Sequence, residues 1–69
     1  MEMISVKSSN IEAIGFDEGS ETLQVEFKGG SLYQYFDVSE QVFNDFVQAG
    51  SKGRFLAQNI KGVYRYTRV

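Results

Sequence analysis

The chain contains no cysteine, no histidine and no proline. Without cysteine there is no disulfide, no thiolate nucleophile and no thiolate metal site. Without histidine, the commonest general base at neutral pH and the commonest metal ligand are both missing. No apolar run approaches the roughly 20 residues that a membrane-spanning helix requires. Met1 to Asn10 also lacks the basic start and long apolar centre of a signal peptide. These absences predict a soluble, cytoplasmic binding protein with no cofactor and no metal, and they weigh against an enzyme. The acidic residues do not reverse this. Asp17, Glu18 and Glu21 crowd one loop, but they lack the ligand spacing of a calcium site and read as solvated.

What is present is enough for one domain over residues 1–69 and no more. A chain this short buries only about 60% of the surface its unfolded form exposes. It must use its apolar residues efficiently or borrow burial from a partner, so a homo-oligomer is one expectation. With 42% hydrophobic residues, six Phe and four Tyr, the composition excludes disorder, which goes with few aromatic and β-branched residues.

Charge is divided along the chain. Met1 to Asp45 holds nine acidic residues against Lys7 and Lys28, a balance of −7. Phe46 to Val69 holds Lys52, Arg54, Lys61, Arg65 and Arg68 and no acid, a balance of +5. The division points to an anionic partner for the C-terminal third, or to packing of that third against the acidic part of the same or a neighbouring chain.

The periodicity predicts an α+β domain. Ile11, Ala13, Ile14 and Phe16 mark a first strand over Asn10 to Phe16, and a short extended piece, Met3 to Lys7, can precede it. Thr22 to Lys28 alternates, with Leu23, Val25 and Phe27 inward. Gly29-Gly30 is a two-residue hairpin signal, and Ser31 to Phe36 returns. Val42, Phe43, Phe46 and Val47 then recur at helical spacing. Asp37 and Glu40 form a candidate capping box, with Ser39 as the rival N-cap, and Gly50 stands where a C-terminal cap belongs. Ser51 can cap a second short helix running to about Asn59, with Phe55, Leu56 and Ile60 inward. Gly53 weakens that helix by roughly 1 kcal/mol, which suggests a close approach there. Gly62 ends it, and Val63 to Val69 reads as an extended segment or last edge strand. The expected architecture is a three-stranded antiparallel β-meander, two short helices and an extended C-terminal segment. Leu23, Val25, Phe27, Val42, Phe46, Phe55 and Ile60 are the expected core.

Several stretches carry a family likeness. They are Ser8-Ser9-Asn10-Ile11, Ile14-Gly15-Phe16-Asp17, Leu23 to Phe27 leading to Gly30, the central Tyr33-Gln34-Tyr35, and Val38 before the helix. Ser51-Lys52-Gly53-Arg54-Phe55, Ile60, and Tyr64-Arg65-Tyr66 with Arg68 follow. From Val6 to Val69 the chain resembles the KTSC domain, a module named for its place at the C-terminus of some lysyl-tRNA synthetases and also found alone in bacterial and phage proteins. Two positions depart from the family pattern. Ser39 stands where members often have proline, and Arg65 stands where members have proline between the last two tyrosines. The resemblance implies a binding module, with RNA suggested by domain context, and it carries over no catalytic residues.

Three constellations are candidate ligand sites. The first is Tyr33 with Tyr35, two apart and so on one face of a strand. If Gly29-Gly30 is the whole turn, Phe27 pairs with Leu32, and both tyrosines share the open face with Gln24, Glu26 and Lys28, a platform for stacking bases. A longer loop moves the register by one and packs them under the helices. The second is Ser51-Lys52-Gly53-Arg54, where free N–H groups at a helix start stand beside two cations, the ingredients of an anion site. The third is Lys61 with Tyr64, Arg65, Tyr66 and Arg68, where alternating aromatics and cations suit single-stranded nucleic acid, unless the tail docks as an edge strand. The five C-terminal cations are expected to converge around the Ser51 helix start. The function expected is RNA or single-stranded nucleic-acid binding. Binding of a small anionic ligand such as a nucleotide by a homo-oligomer, and protein interaction, are the alternatives.

Overall fold

The computed structural model describes residues 1–69. It contains β1 (Met3–Ser5), β2 (Ile11–Asp17), β3 (Thr22–Phe27), β4 (Leu32–Tyr35), α1 (Glu40–Gln48), α2 (Lys52–Phe55) and β5 (Tyr66–Arg68). The strands form one antiparallel sheet in the order β1-β2-β3-β4-β5. The α+β class and the meander are as expected, but the sheet has five strands rather than three. The two added strands lie within the segments expected to be extended, Met3 to Lys7 and Val63 to Val69, and each is three residues long. No helix is long and apolar enough to cross a membrane.

Strict alternation along β2 would send Ile11 and Ile14 to opposite faces. A bulge between Ile11 and Ala13 adds one residue, so that Ile11 pairs with Phe27, Ile14 with Val25 and Phe16 with Leu23. All three then join Leu23, Val25 and Phe27 on the face that the helices cover. Ala13, Gly15, Gln24 and Glu26 take the other face.

The β3–β4 hairpin corrects the two-residue turn. The Phe27 N–H donates to the Ser31 carbonyl at 2.8 Å, and the Gly30 N–H donates to the Phe27 carbonyl at 2.9 Å. Three residues, Lys28 to Gly30, therefore make the loop. Only Gly30, at φ 96°, is left-handed, whereas a two-residue type I′ turn requires positive φ at both positions. The register becomes Glu26 opposite Leu32, Val25 opposite Tyr33 and Leu23 opposite Tyr35. Tyr33 and Tyr35 consequently lie on the helix-covered face.

Ser39, not Asp37, caps α1: its Oγ accepts the Val42 N–H at 3.2 Å. Asp37 is left-handed (φ 61°) and makes an ion pair with Arg65 instead. Ala49, not Gly50, closes the helix, with its N–H on the Phe46 carbonyl. Ser51 caps α2 as expected, accepting the Arg54 N–H at 3.2 Å. The chain continues from α2 into a π-helical turn, Leu56–Ile60, closed by the Lys61 N–H on the Leu56 carbonyl. A Cβ on Gly53 would meet Asn10 Oδ1 at 3.1 Å, which is the close approach expected of that glycine.

The core joins both layers. Ile11, Ile14, Leu23, Val25 and Tyr35 come from the sheet, and Phe46, Leu56 and Ile60 from the helical segment, with Val38 between them. Phe46 stacks on Phe55 and Phe43 on Phe16, each with centroids 5.1 Å apart. Of the expected core, Leu23, Val25, Phe46 and Ile60 are fully buried, while Phe27, Val42 and Phe55 are half-buried around them. Phe46→Ala removes the largest wholly buried side chain. It should destabilise the domain by about 3–5 kcal/mol, a large share of the roughly 5–15 kcal/mol available. Chemical denaturation should show this as a lower midpoint or an unfolded variant, and an unchanged midpoint would contradict the packing.

Candidate functional site

The register of β4 aligns Ser31, Tyr33 and Tyr35 along its inner face. Strand β5 pairs with β4 so that Tyr66 lies opposite Tyr35 and Arg68 opposite Tyr33. The Phe36 N–H donates to the Arg65 carbonyl and the Val69 N–H to the Leu32 carbonyl, which ties the tail down at both ends. The tail is therefore a docked edge strand.

Three tyrosine rings meet as a result. Tyr33 and Tyr35 stack with centroids 6.4 Å apart, and Tyr66 lies 5.9 Å from Tyr33 and 5.8 Å from Tyr35. Phe27 presents its edge to Tyr33 at 5.6 Å. These rings, with Ser31, wall a cavity of about 630 Å³ that Lys61 and Gly62 complete. The π-helical turn and the left-handed Gly62 (φ 75°) deliver Lys61 to it. No carboxylate lines the cavity. At its edge, Arg68 Nη2 donates to Ser31 Oγ at 3.1 Å.

The tyrosines differ in exposure. Tyr35 is 3% exposed and belongs to the core, whereas Tyr66 is 60% exposed. The Tyr35 hydroxyl has no hydrogen-bond partner within the chain, yet it is not sealed from solvent, so its outlet is the cavity it lines. Burial pushes the Tyr35 hydroxyl above its ordinary pKa of 10.0, and the neighbouring Tyr33 and Tyr66 add to the rise.

The other expected site residues are dispersed, and the expected convergence of five cations does not occur. Lys52 Nζ is held by the Ala49 carbonyl at 2.7 Å. Ser51 and Arg54 line a separate depression of about 230 Å³ with Ala49, Gly50 and Phe55, and Gly53 packs on Asn10. The Ser51 hydroxyl already satisfies the Arg54 N–H, and four α-helical residues build little dipole. Tyr64 packs half-buried against the core. Arg65 turns outward, 3.5 Å from Asp37 and over the Phe36 ring. Lys61 and Arg68 alone join the tyrosines. Reasoning from sequence overlooked Ser31 and Gly62 and assigned Phe27 to the core only. Ser31 lies two residues before Tyr33, so the correct hairpin register would have revealed it. No three acidic side chains group closely enough to hold a metal ion.

The sequence pattern of the KTSC domain matches residues 7–66. The chain belongs to the KTSC domain family. A crystal structure of a KTSC domain protein from Yersinia pestis has a TM-score of 0.93 to it at 36% identity, covering 99% of this chain and 96% of that one. A protein from Tsukamurella paurometabola is 41% identical over 63 residues, which span 91% of this chain and 94% of that protein. The lysine–tRNA ligase of Nostoc punctiforme is 33% identical over 64 residues, covering 93% of this KTSC domain and 11% of the ligase.

The state of Tyr35 has a measurable consequence. Its folded pKa lies above the unfolded value, so its contribution to stability is complete below about pH 10. As pH rises further the unfolded chain releases the proton first, and stability falls through the raised folded pKa. Denaturation midpoints between about pH 9 and 11 should therefore fall less steeply for Tyr35→Phe than for the wild type. Parallel pH profiles would contradict the assignment.

Proposed function

We propose that this KTSC domain is a non-enzymatic, cytoplasmic module that binds single-stranded nucleic acid, RNA first, by receiving an unpaired base in the cavity walled by Tyr33, Tyr35 and Tyr66. The observation that carries this reading is the cavity itself: aromatic walls, a lysine and no carboxylate. Aromatic faces accept any base, and cations beside them pair with the phosphates. Net charge is −2, which argues against binding over the whole surface and for a local site. Lys61 and Arg68 supply that locality. Matching segments in lysine–tRNA ligases add support, since those enzymes act on tRNA.

Nucleic-acid titrations at several salt concentrations test the proposal. Tyr66→Ala should weaken binding of a single-stranded RNA by about 1–3 kcal/mol, the value of one stacked base. Lys61→Ala with Arg68→Ala should lower the salt slope by about 0.7 for each phosphate no longer neutralised. Binding that ignores all three changes places the interface elsewhere. Absence of RNA binding at low salt removes the reading, and exposed Val63, Tyr66 and Val69 then point to a protein partner.

A further inference from the structure

Resting on that reading, we infer that the cavity is a one-nucleotide site whose Arg68–Ser31 edge takes the phosphate, so that a nucleoside monophosphate is the smallest complete ligand.

The arrangement of the rings sets the size of the ligand. Proteins that read a continuous single strand spread aromatic side chains along a groove, one for each successive base. Here the three tyrosine centroids lie within 6.4 Å of one another, so the rings pack together as one wall of a single cavity rather than as successive platforms. A volume of about 630 Å³ falls within the roughly 300–1,000 Å³ of small-molecule sites.

The polar groups set its chemistry. Arg68 lies opposite Tyr33 in the sheet, and its guanidinium is held by the neutral Ser31 hydroxyl. The ion pair in this structure is made by Arg65, which leaves the charge of Arg68 uncompensated. Accepting that bond leaves the Ser31 O–H free to donate, and a guanidinium has further N–H groups to offer. Lys61 brings a second positive charge to the same cavity. The hydroxyl of the otherwise buried Tyr35, unpartnered within the chain, opens into it. Cations and hydroxyls without a carboxylate match an acceptor-rich anion, and planar walls match a base. A mononucleotide combines the two, whereas a nucleoside offers only the second.

Competition separates the alternatives. A fluorescein-labelled single-stranded RNA is displaced by adenosine 5′-monophosphate or by adenosine, from wild type, Arg68→Gln, Lys61→Gln, and Arg54→Gln, which lies outside the cavity. Thermal melting confirms that each variant is folded. The monophosphate should displace RNA at a concentration lower than adenosine by about tenfold or more, the scale of one hydrogen bond to a charged group. Arg68→Gln should shrink that preference, Lys61→Gln should reduce it, and Arg54→Gln should leave it unchanged. If RNA binding depends on Tyr66 but the monophosphate fails to displace it, or if Arg68→Gln keeps the full preference, the one-nucleotide site is wrong while the RNA reading stands. If RNA does not bind, that reading falls, and calorimetric titration of adenosine 5′-monophosphate decides the site directly. Binding weakened by Arg68→Gln would support it, and no binding would overturn it.

Discussion

Gly30 turns the chain at φ 96°, and the pairing of β3 with β4 follows from that turn. Because side chains alternate across a strand, a slip of one residue exchanges the two faces of the whole strand. With a three-residue loop, Ser31, Tyr33 and Tyr35 face the helices. With a two-residue loop they would face away, and Leu32, Gln34 and Phe36 would replace them. Strand β5 pairs on β4 and inherits its register, so the positions of Tyr66 and Arg68 depend on the same turn. The core and the candidate site are two parts of one sheet face, divided by how far the helices reach across it.

Tyr35 stands on that division. Its ring completes the buried cluster with Leu23, Val25 and Phe46, while its hydroxyl keeps an outlet through the cavity. A phenol suits such a place because it has an apolar body and one polar tip. Phenylalanine would fill the core equally well but would offer a ligand no donor. Tyr33 is half-buried against the core, and Tyr66 is exposed.

Electrostatics follow from placement more than from composition. The C-terminal third carries five cations and no acid, yet these cations do not act as one patch. Lys52 is occupied by a carbonyl, Arg65 by Asp37 and the Phe36 ring, and Arg54 borders another depression. Lys61 and Arg68 remain beside the aromatic walls, exposed and with no carboxylate paired to them.

The class of fold, the family, the order of the main elements and most of the core were legible in the sequence. These rest on local periodicity and on turn residues, which a linear pattern contains. It also marked Tyr33, Tyr35, Lys61, Tyr66 and Arg68 as chemistry-bearing residues. It left open the face that the tyrosines take, because Gly29-Gly30 is compatible with two loop lengths that differ by one residue. It marked the outer strands only as extended pieces, and it did not reveal the bulge after Ile11, or Ser31 and Gly62 as parts of the cavity. Which cations meet which rings emerged from the folded arrangement alone. Residues 31 and 68 become neighbours through strand pairing across the length of the helical segment, and hydrogen-bond register, unlike hydrophobic period, is a relation between distant parts of a chain.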